Sequence, residues 1–464
     1  MSVHPSSAPA GHTARVRATA ASYWNEALET IDRATQRALE TRRLRRQLAY
    51  TARTSPFYRA KWAETGTDIR RIRGVDQMAE LPFTEKTELQ AAQDAAPPFG
   101  TNVCAPMDRL VRMQATGGTT SRPMRMALTR RDIAVYGEIG ARAAWSAGLR
   151  PGDLLFECMN YAMYAGGVND HMTFETLGAC VAPVGVGQSR RLLQILGDVG
   201  MDAAIYSTPS YALHLAAAAR AEGVEPERLR IRKGLFSGDA GLEVGALRHE
   251  IESTFGMVAR NIYGTSETAP VAAECDAVDG LHFVGQGAYL AELIDVETGA
   301  VIDAADDVVG ELVLTTLERE AHPLIRMRTH DHVRVTTSPC ACGRTGFRFQ
   351  LLGRSDDMFI VRGINVYPLA VGTVVDEFRP AVNGEFQVVL RDPPPHALAP
   401  LVRVALMEPL PDAERERLVG RITDRIHELL VFSPEVEMVA AEALPRSETK
   451  TRRIVRAYRE VASE

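Results

Sequence analysis

Apolar residues recur at helical spacing from Tyr23 to about Arg53 (Trp24, Ala27, Leu28, Ile31, Ala34), until Ser-Pro-Phe-Tyr at 55–58 breaks the period. This predicts a helical N-terminal region. Between about 130 and 265 short apolar runs alternate with helical ones. A helix over 131–148 precedes strand-like Asp153-Leu-Leu-Phe-Glu-Cys158. Then come a strand at 179–184, a helix near 189–198, a strand at 203–207 and a helix near 210–221. A strand at 234–237, a helix near 243–255 and a strand at 258–263 complete the series. Strand–helix alternation needs crossover connections, so the expected fold is α/β with mainly parallel, helix-covered sheets.

After about 285 the helical period disappears. Tyr289–Ile294 and Gly310–Thr316 flank a turn with Thr298-Gly299 and predict antiparallel strands in a small barrel or sheet. From about 354 strands at 387–390 and 401–406 and an amphipathic helix at Ala413–Leu430 predict a small α+β C-terminal domain; Asp392-Pro-Pro-Pro-His396 reads as a loop. The expected domains are 1–353, with about 1–22 disordered, and 354–464.

The chain has 464 residues, enough for at least two domains, and its net charge of −6 carries no long basic run. Nucleic acid and anionic membranes are therefore poor candidates as main partners. No stretch approaches the roughly 18 apolar residues of a membrane span. Six cysteines are too few for a disulfide scaffold, which points to a reducing, cytoplasmic setting. Only four lysines occur, at 61, 86, 233 and 450, so 49 of the 53 basic residues are arginine. A lysine inside a motif is accordingly less easily there by chance.

Gln114-Ala-Thr-Gly-Gly-Thr-Thr-Ser-Arg-Pro123 packs two glycines, hydroxyl side chains and a cation into one loop. Glycines let backbone amides approach an anion, hydroxyls donate to phosphate oxygens, and Arg122 adds charge. The spacing is not that of the Gly-x-x-x-x-Gly-Lys-Ser/Thr loop. Cys275-x6-His282 followed by Cys340-x-Cys342 supplies three thiolates and an imidazole, enough to close a tetrahedral zinc site. Spacing alone leaves buried free cysteines equally open.

Downstream stand Tyr263-Gly-Thr-Ser-Glu267, Pro323-Leu-Ile-Arg-Met-Arg-Thr-His-Asp331, Gly353-Arg-Ser-Asp-Asp357 running into Val361-Arg-Gly-Ile-Asn-Val-Tyr-Pro368, and Pro445-Arg-Ser-Glu-Thr-Lys450. With Ser55-Pro-Phe-Tyr58 and Leu81-Pro-Phe-Thr-Glu-Lys86, the chain resembles the adenylate-forming superfamily of acyl-CoA synthetases from about Trp24 to Arg456. Within it, the chain resembles the phenylacetate–CoA ligase family.

The resemblance implies ATP-dependent activation of an aromatic acid as acyl-adenylate, then transfer to coenzyme A with release of AMP and pyrophosphate. It implies that Thr116, Gly117, Gly118, Thr119 and Thr120, with Arg122, wrap the phosphates, and that Gly238, Asp239 and Ala240 border adenine and the acyl pocket. Tyr263, followed by Gly264 and Thr265, would stack on adenine. Glu267 would hold Mg²⁺; Asp331 and Arg354 would take the ribose. Lys450 would touch the carboxylate and α-phosphate. Asp356 would be the hinge about which the C-terminal domain swings, bringing the loop of Arg362, Gly363 and Asn365 to the coenzyme A channel. Tyr161, Tyr164, Gly166, Gly167 and His171 would line the aromatic acid, the tyrosines suggesting a flat slot with a hydroxyl for a polar ring substituent. A similar Cys/His set in the family favours structural Zn²⁺ at Cys275, His282, Cys340 and Cys342.

Three departures stand out: Arg122 where the family's loop has lysine, His330 where glycine precedes the aspartate, and Thr449 where glycine precedes the lysine. None removes a catalytic group. Transfer to a carrier-protein thiol, an amine or a hydroxyl is the second expectation, and a catalytically impaired, zinc-stapled nucleotide-binding protein the third. A homodimer is compatible with all three.

Overall fold

In the computed structural model of the chain, the helical N-terminal run is broken once. Helix α1 (Glu26–Glu29) stops, and α2 (Arg33–Thr54) begins at Asp32, whose carboxylate accepts the N–H groups of Ala34 and Thr35 at 3.0 Å. Ser55 caps α3 (Pro56–Glu64), which opens on Pro56 at a position where no N–H is needed. Helix α4 (Lys86–Ala95) follows, then a two-stranded antiparallel ribbon of β1 (Leu110–Ala115) and β2 (Arg125–Thr129). The structure describes residues 22–464 apart from 117–122, 239–241, 244, 356–357, 362–363, 394–397, 445–452 and 461–464, with the backbone alone of 364, 365, 459 and 460. The expected disordered start therefore lies almost wholly outside the described residues.

The alternating region folds as its periods predict except that a further helix, at Ala165–Leu177, stands between the first two strands, where no helix is expected from the sequence. Helix α5 (Arg130–Ser146) is opened by Thr129 and Asp132, each satisfying the other's backbone N–H. Strands β3 (Leu154–Glu157), β4 (Cys180–Pro183), β5 (Ala203–Ser207), β6 (Ile231–Phe236) and β7 (Val258–Gly264) run parallel in the order β4-β3-β5-β6-β7. The intervening helices are α6 (Ala165–Leu177), α7 (Ser189–Val199), α8 (Pro209–Ala221) and α9 (Gly245–Phe255).

Successive residues of a strand point to opposite faces, and both faces are apolar here. Leu155, Tyr206 and Leu235 join the cluster under α5 and α6. Phe156, Ile205 and Phe236 join the one under α7, α8 and α9. Gly140 sets the spacing of α5 and α6: a Cβ there would lie 2.4 Å from the Thr173 side chain, so the helices touch almost backbone to backbone.

The antiparallel strands predicted after 285 are hydrogen-bonded into the same sheet. Strands β8 (Pro270–Ala273), β9 (Leu281–Phe283), β10 (Tyr289–Ile294), β11 (Val301–Ile302), β12 (Val309–Thr316), β13 (Met327–Thr336) and β14 (Arg348–Arg354) extend it in the order β7-β8-β9-β14-β13-β12-β10-β11. The 12-stranded sheet ends on two-residue β11 and on β4, which closes with Pro183.

Beyond a hairpin of β15 (Phe359–Val361) and β16 (Ile364–Val366) lies the C-terminal unit. It consists of α10 (Pro368–Asp376), β17 (Val382–Leu390), β18 (Leu401–Leu406), α11 (Asp412–Leu430), β19 (Glu435–Val439) and β20 (Ile454–Arg456). Its four-stranded sheet, β19-β18-β17-β20, has its own core of Val371, Val388, Val402, Val404 and Ile422, all fully buried. It meets the body through Tyr367 and His332 (2.6 Å) and through Arg379 and Glu250 (2.5 Å). Among the described residues no helix is long and apolar enough to cross a membrane.

Candidate active site

Strands β7 and β8 meet in a tight turn, where Gly264 leaves no room for a side chain: a Cβ would sit 2.9 Å from the Ala269 carbonyl oxygen and the Pro270 Cα. Just before it, the buried Tyr263 hydroxyl donates to Asp331 Oδ2 on β13 at 2.6 Å, and Arg354 at the end of β14 reaches Asp331 Oδ1 at 3.0 Å. The ring stands edge-on to Phe349. Burial and then the Asp331 charge push the Tyr263 phenol well above its ordinary range, so it remains a donor.

Just after the turn, Thr265 and Thr268 hydroxyls pair at 3.2 Å, and Glu267 is buried. Burial alone would raise the Glu267 carboxyl. Instead Lys86 at the start of α4, 2.8 Å from Oε1, holds it below its usual range by charge and hydrogen bond. Lys86 was visible in the sequence only as part of a resemblance. The scarcity of lysine that drew attention to Lys450 applied equally to Lys86.

His330 has φ +60°, a left-handed backbone that glycine adopts freely and other residues adopt at a cost of about 1 kcal/mol or more. The histidine offsets this through its ring: Nε2 lies 2.8 Å from Glu85, and Nδ1 lies 3.1 Å from Ser355. It thereby joins the residue before α4 to the residue before the expected hinge.

The expected phosphate loop, Gly117, Gly118, Thr119, Thr120 and Arg122, lies outside the described residues. So do Asp239, Ala240, Asp356, Arg362, Gly363 and Lys450, and only the backbone of Asn365, in β16, is described. The loop's stem is described. The Thr116 hydroxyl accepts the Met124 N–H at 3.0 Å and its own N–H donates to the Met124 carbonyl, closing the neck. Gln114 donates to the Ser266 carbonyl at 2.8 Å and accepts from Asn169, which in turn accepts from Arg112 at 2.7 Å. This chain of amides ties the stem to the Tyr263–Glu267 turn and to α6.

At the other end of the crevice, Tyr161 and Tyr164 bracket a turn in which Met163 has φ +65° and offers its carbonyl to the Ala115 N–H at 2.7 Å. Tyr164 is the cap residue of α6, whose first turn carries Gly166 and Gly167. A Cβ at Gly167 would meet the Asn160 carbonyl oxygen at 2.5 Å. The Tyr161 hydroxyl, expected to be available to a substituent, is 2.9 Å from His171 Nδ1, and His171 Nε2 lies 3.2 Å from Glu175. Gly238, with φ +82°, follows β6 and faces the Met159 methyl. Tyr161, Gly238 and the Gly264 turn thus all lie at the carboxyl ends of parallel strands, β3, β6 and β7, where open α/β sheets place their ligands.

Cys275, His282, Cys340 and Cys342 bring one ligand atom each to within 4.8 Å of one another. The Cys275–Cys340 sulfur separation is 3.7 Å, and Cys342 Sγ lies 3.3 Å from His282 Nε2. A tetrahedral zinc ion needs edges of about 3.8 Å between sulfurs and about 3.6 Å from sulfur to nitrogen, so the spacing fits. His282 Nδ1 is 3.2 Å from the Gly346 carbonyl, the usual outer partner that directs Nε2 at a metal. The cluster joins the segment after β8 to that before β14, and N-terminal residues brace it: the Tyr23 hydroxyl donates to the Cys342 carbonyl at 2.9 Å, and Arg344 pairs with buried Glu29 at 2.8 Å.

A doubly covered parallel sheet continued by antiparallel strands, with its crevice next to a separately folded C-terminal unit, is the organisation of adenylate-forming enzymes. Comparison with known proteins narrows this. Residues 363–457 match the family model for the AMP-binding enzyme C-terminal domain. Phenylacetate-coenzyme A ligase of Thermus thermophilus is 37% identical over 368 residues, 78% of this chain and 80% of that protein; the Escherichia coli enzyme of that name is 32% identical over 92% of this chain and 96% of its own. Among solved structures, 2-hydroxyisobutyryl-CoA ligase in the postadenylation state with 2-HIB-AMP superposes with a TM-score of 0.88 at 29% identity, covering 96% of this chain and 95% of that one. The same ligase with 2-HIB-AMP and CoA in the thioesterification state gives 0.71 over the same shares. The chain belongs to the phenylacetate–coenzyme A ligase family and is an AMP-forming acid–thiol ligase.

Proposed function

We propose that the enzyme activates an aromatic carboxylic acid with ATP as the acyl-adenylate, releasing pyrophosphate, and then passes the acyl group to the thiol of coenzyme A, releasing AMP. The observation that carries this reading is the matching of two buried carboxylates to separate cations along one crevice, Glu267 to Lys86 and Asp331 to Arg354.

In the first half-reaction a carboxylate oxygen bonds to the α-phosphorus as the bond to pyrophosphate breaks. Two anions approach each other, so fixed positive charge must oppose their repulsion. Asp331, oriented by Tyr263 and Arg354, receives the ribose hydroxyls, and the Tyr263 ring flanks adenine. Glu267 is kept ionised by Lys86. As one hard oxygen donor beside the phosphates it suits Mg²⁺, which neutralises phosphate charge when bound and leaves most of its positions to water and substrate. Thr116 to Thr120 and Arg122 take the phosphates, and Lys450 meets the reacting carboxylate. Tyr161, Tyr164, Gly166, Gly167 and His171 border the acid. Cys275, His282, Cys340 and Cys342 would hold Zn²⁺ as a structural ion, since the four of them suffice to fill its positions.

In the second half-reaction the C-terminal unit, residues 354–464, turns about Asp356, and Arg362, Gly363 and Asn365 replace Lys450. The higher TM-score against the postadenylation form supports reading the present arrangement as the one that belongs to the first half-reaction. Carboxylate-dependent exchange of pyrophosphate into ATP over a panel of aromatic acids tests the first step. Acyl-CoA formation from the best acid tests the second, and exchange that leads to no acyl-CoA would sink it.

A further inference from the structure

Glu157 ends β3, next to Tyr206 of β5 in the register of the sheet. Strand alternation puts Leu155 and Tyr206 in the cluster under α6 and Phe156 in the cluster on the opposite face, so Glu157 faces α6 as well. Asp170 comes down from α6 to meet it, accepting the Tyr206 hydroxyl at 2.6 Å. Glu157 is 0% exposed, and neither of its carboxylate oxygens has a well-formed hydrogen bond among the described residues, the Met159 N–H being the one donor turned toward it. Burial and then the neighbouring Asp170 push the Glu157 carboxyl well above its ordinary range, with only the Met159 N–H acting the other way. Burial likewise raises Asp170, to about 7.

A buried carboxyl without a partner is expensive and uncommon, and the position of this one says where a partner would come from. Met159, two residues beyond Glu157, holds its methyl 3.1 Å from where a Gly166 Cβ would be and 3.3 Å from where a Gly238 Cβ would be. Asp170 Oδ2 lies 3.8 Å from the same Gly166 position, and the Tyr161 ring lies 3.7 Å from a Cβ at Gly185. The room left at Gly166 and Gly238 is taken by the flexible Met159 side chain, and the two carboxyls stand behind it, in the region bordered by Tyr161, Gly166 and Gly238.

We propose that the acid activated here bears an amino group on its ring, and that Glu157, backed by Asp170 and Tyr206, receives its hydrogens. The inference rests on the acid-activating reading above. An unsubstituted ring would leave Glu157 unpaired. A nitro or second carboxylate group could only accept, from a carboxyl proton, and would leave the carboxyl C=O groups unpaired, and a hydroxyl offers a single hydrogen. An amino group offers two hydrogens to the carboxyl oxygens and a lone pair to a carboxyl proton, or, once that proton has passed to it, three hydrogens and a charge.

The test measures carboxylate-dependent pyrophosphate exchange by the full-length enzyme. It compares 3- and 4-aminobenzoate and 4-aminophenylacetate with their methyl isosteres and unsubstituted parents. The best amino acid should exceed its methyl isostere in kcat/KM by roughly 10²-fold or more, because a site built to bond an N–H rejects the analogue lacking it. Glu157→Gln should shrink that ratio by roughly 10-fold or more, and Glu157→Met should reverse it. Methyl isosteres used as well as amino acids by the wild type, or a ratio unmoved in both variants, would overturn the proposal. Exchange with the parent acids but not with amino acids would overturn it while leaving the acid-activating reading intact. No exchange with any aromatic acid would remove that reading and this one together.

Discussion

The two ends of the crevice handle buried charge in opposite ways. At the proposed nucleotide end Glu267 has Lys86, Asp331 has Arg354, and fully buried Glu311 has Arg328 at 2.6 Å. At the proposed acid end Asp170 has the Tyr206 hydroxyl, and Glu157 has no cation beside it, only the raising influence of Asp170. The first arrangement is electrically complete before any ligand arrives, so it can serve the same nucleotide in every turnover. The second is incomplete, so what it accepts is decided by what completes it. A further difference is mechanical: the nucleotide end stands on antiparallel strands joined by the Cys/His cluster, and the acid end on parallel strands held by helix packing.

The largest effect expected from disturbing the contrast is at Glu267. Glu267→Gln removes the negative half of the pair and the candidate Mg²⁺ ligand, and pyrophosphate exchange should fall roughly 10²–10³-fold. Lys86→Met should fall less, with a raised Mg²⁺ requirement as the sign that Lys86 acts through Glu267. Equal losses with unchanged metal dependence would show that the pairing is not what matters.

Next is removal of the zinc proposed at the Cys/His cluster. Cys342→Ser or chelation should abolish a zinc content of about one per chain and lower the melting midpoint measurably, since the free energy of binding a structural ion is folding free energy. If the two ends are mechanically distinct, KM for ATP should rise before KM for the acid. A parallel rise in both would join them into one unit.

A smaller effect is set by pH at the acid end. Asp170 is held at about 7 in the folded chain, against an ordinary value near 4. The folded state then keeps a proton that the unfolded chain gives up, so stability should fall as pH rises from about 4 to about 7 and level off above. Asp170→Asn removes this slope, and urea unfolding should find the variant relatively more stable at pH 8 than at pH 4 by on the order of 2–4 kcal/mol. A constant difference at both pH values would mean that Asp170 is not neutral in the fold. The smallest effect is expected from His330→Gly: relief of the backbone and loss of the ring contacts should nearly cancel, leaving unfolding free energy within about 1 kcal/mol of the parent.

Much of this could be read from the chain before folding. The strand–helix periods of 130–265 and the antiparallel run after 289 appear at nearly their expected bounds, because both faces of the parallel strands are apolar and helix caps such as Thr129 are local. Cys275, His282, Cys340 and Cys342 do converge. What could not be read is partnership across long separations. Glu157 looked like the end of an ordinary strand because its burial comes from α6, and Lys86 finds Glu267 only once α4 is laid beside the β7–β8 turn. The interruption at Asp32 was missed because a helical period continues across it while the backbone does not.

The ends of the long sheet have a consequence for how copies of the chain meet. One edge is a strand of two residues, and the other closes on Pro183, which has no N–H to offer. Neither is a template for another strand, so growth by edge-to-edge pairing is blocked at both sides. A dimer built on this sheet must then use side-chain surfaces, and its interface should be dissolved by single surface substitutions that leave the sheet untouched.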